Sequence, residues 1–107
     1  MITKYNKYHN RKTEIDGIKF DSKREANRYI ELKLMEQAKA IQDLKLQVKF
    51  PLVKKSSHGQ EVVYVADFVY YEDGKMVVED SKGYRTDVYK LKKRLMAELY
   101  GIDIKET

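Results

Sequence analysis

Three residues near the middle of the chain, Asp67, Asp80 and Lys82, carry side chains that could act together on a phosphate or hold a cation. They lie in VADFVYYEDGKMVVEDSK, residues 65–82, where β-branched and aromatic residues run on both sides of Asp73-Gly74. That dipeptide tolerates the positive φ angles of a two-residue turn, so the stretch reads as a β-hairpin. A Glu72–Lys75 pair at the turn carries the register outward through Tyr71–Met76 and Val69–Val78 to Asp67–Asp80. Lys82 falls two residues further along the same face. Opposed carboxylates with Cβ atoms roughly 5 Å apart repel by about 3 kcal/mol at an effective dielectric of about 20. The Lys82 ammonium offsets one charge, and a divalent cation held by carboxylate oxygens would offset the rest. A proton on one aspartate, or an ordinary surface ion-pair cluster, would relieve the same repulsion. A bulge would slip the register and turn Asp80 to the other face, bringing Glu79 into its place.

The surrounding elements must position this hairpin. Thr13 to Phe20 contain a second Asp-Gly pair, Asp16-Gly17, and predict a small hairpin. Ser22-Lys23-Arg24-Glu25 fits a capping box, with Ser22 accepting from a first-turn amide and Glu25 reaching back to the cap. That role alone explains Glu25. Ala26, Ile30, Leu34, Ala38 and Ile41, with Tyr29 beside them, predict the buried stripe of the helix. Leu44, Leu46, Val48 and Phe50 alternate with Lys45, Gln47 and Lys49, which predicts a strand buried on one face, limited by Pro51. The Lys54–Gln60 segment turns the chain into the strand that carries Asp67. Thr86 or Asp87 caps a second helix running to about Tyr100, with Val88, Leu91, Leu95 and Leu99 on its inner stripe. Gly101 stops it, and Ile102-Asp103-Ile104 predicts a short last strand. The expected fold class is therefore α/β of the α+β kind: helix, three-stranded antiparallel meander, helix, short final strand.

Length and charge bound the partners. The 107 residues suit one domain, residues 13–107, preceded by a basic and flexible arm, residues 1–12. The net charge of +5 points to an acidic partner, nucleic acid first and an anionic membrane surface second. Within the arm, Lys4, Lys7, Arg11 and Lys12 are interleaved with Tyr5 and Tyr8, a pattern suited to following phosphates while stacking on bases. A solvated terminus has the same composition. Tyr84-Arg85 and then Lys90, Lys92, Lys93 and Arg94 place further cations around the start of the second helix, where a phosphate could be received. His9 and His58 are expected at the surface. The chain has no cysteine, which excludes disulfides and cysteine zinc sites and fits a reducing compartment. No segment has the apolar length of a membrane span or the apolar run of a signal peptide, so a soluble, cytoplasmic protein is expected.

An acidic residue on the middle strand followed by Asp-x-Lys at the end of the next, here Asp67 and then Asp80-Ser81-Lys82, resembles the restriction-endonuclease-like superfamily, the PD-(D/E)xK nucleases. FDSKRE with Glu25, LQVKF, YVADF and VVEDSKG are similar to a group of small, mostly phage-encoded members and to transposon-end-cleaving members. The resemblance covers about residues 15–100. It implies a Mg²⁺-dependent endonuclease acting on DNA, with Mn²⁺ as a substitute, in a bacterial or phage-infected cell. It implies that Glu25, Asp67 and Asp80, with the Ser81 backbone carbonyl, ligate the metal. Lys82 would orient the attacking water and stabilise the phosphate. Tyr84, Arg85, Lys90 and Lys93 would join the basic arm on DNA, and a homodimer would supply two sites for two strands. No small-molecule cofactor and no membrane partner are implied. Ala66 stands where the superfamily pattern has proline. A non-catalytic DNA-binding module on the same fold, or an RNA nuclease, fits the same composition.

Overall fold

A computed structural model describes residues 12–81 and 84–107. The fold is mixed α+β, with two helices and two sheets. A small hairpin, β1 (Thr13–Ile15) and β2 (Ile18–Phe20), precedes helix α1 (Lys23–Gln37). Three antiparallel strands follow, β3 (Gln42–Val53), β4 (Val62–Glu72) and β5 (Lys75–Asp80). Helix α2 (Asp87–Tyr100) then leads to β6 (Lys105–Glu106), which pairs parallel to β5 and completes a sheet of order β3-β4-β5-β6. No helix among the described residues is long and apolar enough to cross a membrane.

The β4–β5 turn pins the register as the sequence predicts. Asp73 and Gly74 have φ of 53° and 77°, the two positive values that a tight hairpin turn of the primed type needs. Glu72 pairs with Lys75, Tyr71 with Met76, Val69 with Val78 and Phe68 with Glu79. Val77 and Val78, consecutive in β5, join different apolar clusters, so the two helices cover opposite faces of the sheet. One cluster gathers Phe20, Ala26, Tyr29, Leu32, Ile41, Phe68 and Tyr70 around α1; the other gathers Tyr64, Ala66, Val69, Met96, Tyr89 and Ile104 around α2.

The alternation in β3 does not keep one face throughout. Leu44 and Leu46 pack toward α1, whereas Val48, Phe50 and Leu52 pack toward α2. The change occurs at Gln47, whose φ of 53° is left-handed and breaks the two-residue period. The partner strand changes with it: Leu46 faces Phe68 and Val48 faces Ala66, in the α1 and α2 clusters respectively. Pro51 also fails to end the strand. It pairs opposite Val63 in β3, an edge strand on which a missing N–H is tolerated, and its carbonyl accepts from the Tyr100 hydroxyl at 2.5 Å.

Both helices are rotated from their expected orientation. Helix α1 buries Glu25, Ala26, Tyr29 and Leu32 and leaves Ile30 and Leu34 exposed, and it ends before Ile41. Tyr29 is drawn inward by Phe20, 5.1 Å away between ring centroids, and donates to Asp16 in the β1–β2 turn at 3.0 Å. Helix α2 buries Tyr89 and Met96, seven residues apart, and exposes Val88, Leu91 and Leu99. Thr86 is its N-cap, accepting from the Tyr89 amide at 3.0 Å, and Gly101 terminates it at φ 67°. The final strand forms at Lys105–Glu106 rather than at residues 102–104, because Ile102 and Ile104 are used in the α2 core.

Candidate active site

The face change at Gln47 lies beside the point where β4 and β5 stop pairing, and the acidic residues collect there. Phe68–Glu79 is the last pair of that ladder, so Asp67 and Asp80 stand one residue beyond it. Their carboxyls do not diverge to opposite sides of the sheet; they are in hydrogen-bonding contact. The Ser81 amide donates to Asp67 Oδ2 at 2.9 Å, which ties the end of β5 to β4 through a side chain where the backbone ladder has ended. The Tyr64 hydroxyl, from β4 two residues before Ala66, donates to Asp80 Oδ2.

Glu25 arrives from the opposite layer. Ser22 Oγ accepts from the Glu25 amide at 3.1 Å, which fixes the first turn of α1. The Glu25 side chain, only 7% exposed, turns into the molecule. Gln47 Nε2 donates to Glu25 Oε2 at 3.2 Å and to Asp67 Oδ1 at 3.4 Å, so one carboxamide bridges the helix carboxylate to the strand carboxylate. Gln47 is the residue that sequence reasoning placed on the solvent face and did not connect with the site. Its signal in the sequence is weak: a polar residue in a polar row, with nothing to mark the left-handed φ.

Burial raises the Asp67 carboxyl to about 7, helped by the Asp80 and Glu25 charges and opposed by the Ser81 N–H. Asp67 therefore keeps a proton up to near neutral pH. The neighbouring acid behaves differently. Glu79 faces α1, where Arg28 Nε and Nη2 donate to its two carboxylate oxygens at 2.5 and 2.9 Å. Tyr70 and Thr107 hydroxyls add bonds of 2.6 and 3.1 Å. Burial pushes the Glu79 carboxyl up, but these donors outweigh it and hold it below its ordinary value. Glu79 is thus a structural ion pair and does not substitute for Asp80.

The oxygens of Asp67, Asp80 and Glu25 are the hard donors that Mg²⁺ takes, and the proton on Asp67 is one that a dication would displace. Among the described residues, no three of His, Cys, Asp and Glu are grouped closely enough to hold one ion as they stand. The Gln47 amide occupies the gap between Glu25 and Asp67.

The residues expected to contact nucleic acid are distributed unevenly. Lys4, Lys7 and Arg11 lie outside the described residues, as do His9, Lys82 and Gly83. Lys12 pairs with Asp21 at 3.4 Å on an exposed surface. Arg85 and Lys93 are not free cations: both pair with Glu106 of β6, at 2.8 and 3.2 Å, and Tyr89 donates to the same carboxylate at 2.7 Å. Those donors, Arg85 first, hold the Glu106 carboxyl down at about 2. Tyr84 and Lys90 are exposed, as is His58.

A family model described as "Protein of unknown function (DUF1064)" matches residues 5–107. No curated protein and no solved structure matches the chain.

Proposed function

This chain belongs to the DUF1064 family, and from its carboxylate site we propose that it is a metal-dependent endonuclease hydrolysing DNA phosphodiester bonds on a restriction-endonuclease-like, PD-(D/E)xK core. The observation that carries the reading is the contact between Asp67 and Asp80 on adjacent strands, with Glu25 joined to Asp67 through Gln47. The order of helix, antiparallel meander, helix and short strand supports it, as does the +5 charge.

Asp67, Asp80, Glu25 and the Ser81 carbonyl are the groups that would hold Mg²⁺, or Mn²⁺ in its place. When bound, the cation supplies Lewis acidity at the phosphate and neutralises the carboxylates. The Ser81 amide and the Tyr64 hydroxyl keep Asp67 and Asp80 in place for that purpose. The Gln47 amide must move aside or turn its oxygen inward for Glu25 to join. Lys82, next in the chain after Ser81, orients the attacking water and stabilises the charge that develops on the phosphate. Because Asp67 must give up a proton that it holds up to about 7 before it can ligate, metal binding strengthens as the pH passes upward through that value. Cutting both strands of a duplex takes two such sites, and a homodimer supplies them.

The test is incubation of the purified protein with Mg²⁺ and a panel of duplex, single-stranded, flap and four-way-junction DNAs. Asp80→Asn and Lys82→Ala should abolish cleavage while leaving DNA binding largely intact; equal cutting by both variants and the wild type would refute the assignment. One observation favours a second reading, a DNA-binding module that keeps the fold without the chemistry: no three acidic or histidine side chains among the described residues are grouped to hold an ion. That reading predicts salt-sensitive binding and no cleavage in any divalent metal.

A further inference from the structure

A cavity of about 260 Å³ lies beside the carboxylates on the α1 side, lined by Arg24, Asn27, Arg28, Glu31, Ser81 and Thr107. Every lining side chain is polar. Arg24, Asn27, Arg28 and Glu31 stand at helical spacings of three and four, so one face of α1 forms one wall. Ser81 belongs to both sites. Its amide holds Asp67 Oδ2 at 2.9 Å, and the residue also lines the cavity.

The donors and acceptors in this cavity are not balanced. Arg28 is committed to Glu79 and, at 3.0 Å, to Glu31, so it and Glu31 largely cancel each other. Arg24 and Asn27 make no hydrogen bond or ion pair among the described residues. Ser81 Oγ is buried and has no hydrogen-bond partner there. What remains available is a guanidinium fork and a carboxamide, a donor-rich set that matches an anion with several acceptor oxygens.

We infer that this cavity is a subsite for a nucleic-acid backbone phosphate, the one flanking the phosphodiester held at Asp67 and Asp80. The inference rests on reading the carboxylate site as one that engages a nucleic-acid strand, and it names where that strand continues. Arg24 supplies the charge, while Asn27 donates to the phosphate oxygens. The bond from the Ser81 amide to Asp67 Oδ2 makes the two positions neighbours.

The experiment measures binding of fluorescently labelled flap and junction DNA by anisotropy in EDTA, so that no cutting is involved. Arg24→Ala should weaken binding about tenfold, the loss expected for one charge-assisted contact. It should also lower the slope of log K against log salt by about one. Asn27→Ala should weaken binding about threefold. A single methylphosphonate walked along the strand should, at one position, make the wild type bind as weakly as Arg24→Ala, with no further loss in the variant. Unchanged affinity and salt slope in Arg24→Ala overturn the subsite, and so does a walk in which no position abolishes the difference. Circular dichroism of each variant separates a folding defect from a lost contact. Active Asp80→Asn protein would sink the nuclease reading and leave this result standing.

Discussion

Glu79 and Asp80 are consecutive, both acidic and both buried, at 0% and 1% exposure, yet the molecule treats them in opposite ways. Strand alternation sends Glu79 toward α1, where a guanidinium and two hydroxyls complete its hydrogen bonds and lower its pKa. Asp80 is sent toward α2, onto a tyrosine and a second carboxyl, and it helps to hold Asp67 up at about 7. The two acids are equally shut off from solvent. The difference lies in what meets them: donors that settle the charge in one case, another acid that sharpens it in the other. A compensated buried acid serves the fold, whereas crowded carboxylates are what a cation or proton can bind to.

Breaking each cluster in turn should give opposite results. The largest effect is on catalysis: Asp80→Asn should lower cleavage by at least about two orders of magnitude, the scale of losing a charge-stabilising group. Its urea midpoint should stay level or rise. Glu79→Gln should leave the Asp67–Asp80 contact intact and cost about 3 kcal/mol of stability by stranding the half-buried Arg28, read from the same urea titration. If Asp80→Asn proves the more destabilising of the two, the division between a structural and a functional acid is lost.

Asp67 sharpens the comparison through pH. In the folded chain it keeps a proton up to about 7, whereas an unfolded aspartate releases it near 3.8. The folded state therefore binds more protons between those values, and stability falls as pH rises through the interval. Thermal unfolding of Asp67→Asn and wild type should give curves that agree best near pH 4, with the variant increasingly the more stable toward pH 8. A constant difference across that range would mean that Asp67 titrates normally. Gln47→Gly gives the smallest effect. Releasing a left-handed φ should add about 1 kcal/mol at pH 5, and the gain should shrink by pH 8, where Glu25 and Asp67 have lost the amide between them. An equal gain at both pH values would show that the amide does not bridge them.

The hairpin was legible because its determinants are local. Asp73-Gly74 admits few turn geometries, and a two-residue turn leaves no freedom in the pairing of Val69 with Val78. The caps at Ser22 and Thr86 and the stop at Gly101 were legible for the same reason. The inner faces of the helices were not. Helix α1 carries apolar residues on two overlapping stripes, and Tyr29 and Leu32 were chosen over Ile30 and Leu34 by the shape of the sheet and the β1–β2 hairpin. Arg85 and Lys93 read as free cations because their partner, Glu106, lies on a strand whose position only β5 fixes.

By itself the sequence determined that two aspartates sit opposite each other past a tight turn, since pleat and turn are properties of neighbouring residues. It also determined that Glu25 begins a helix. Only the tertiary structure decided that Glu25 reaches those aspartates, because that requires β3 and β4 to change faces together at Gln47 and Asp67. A left-handed residue in the middle of a strand, as at Gln47, leaves no periodic trace in the sequence; packing against two helices on opposite faces selects it.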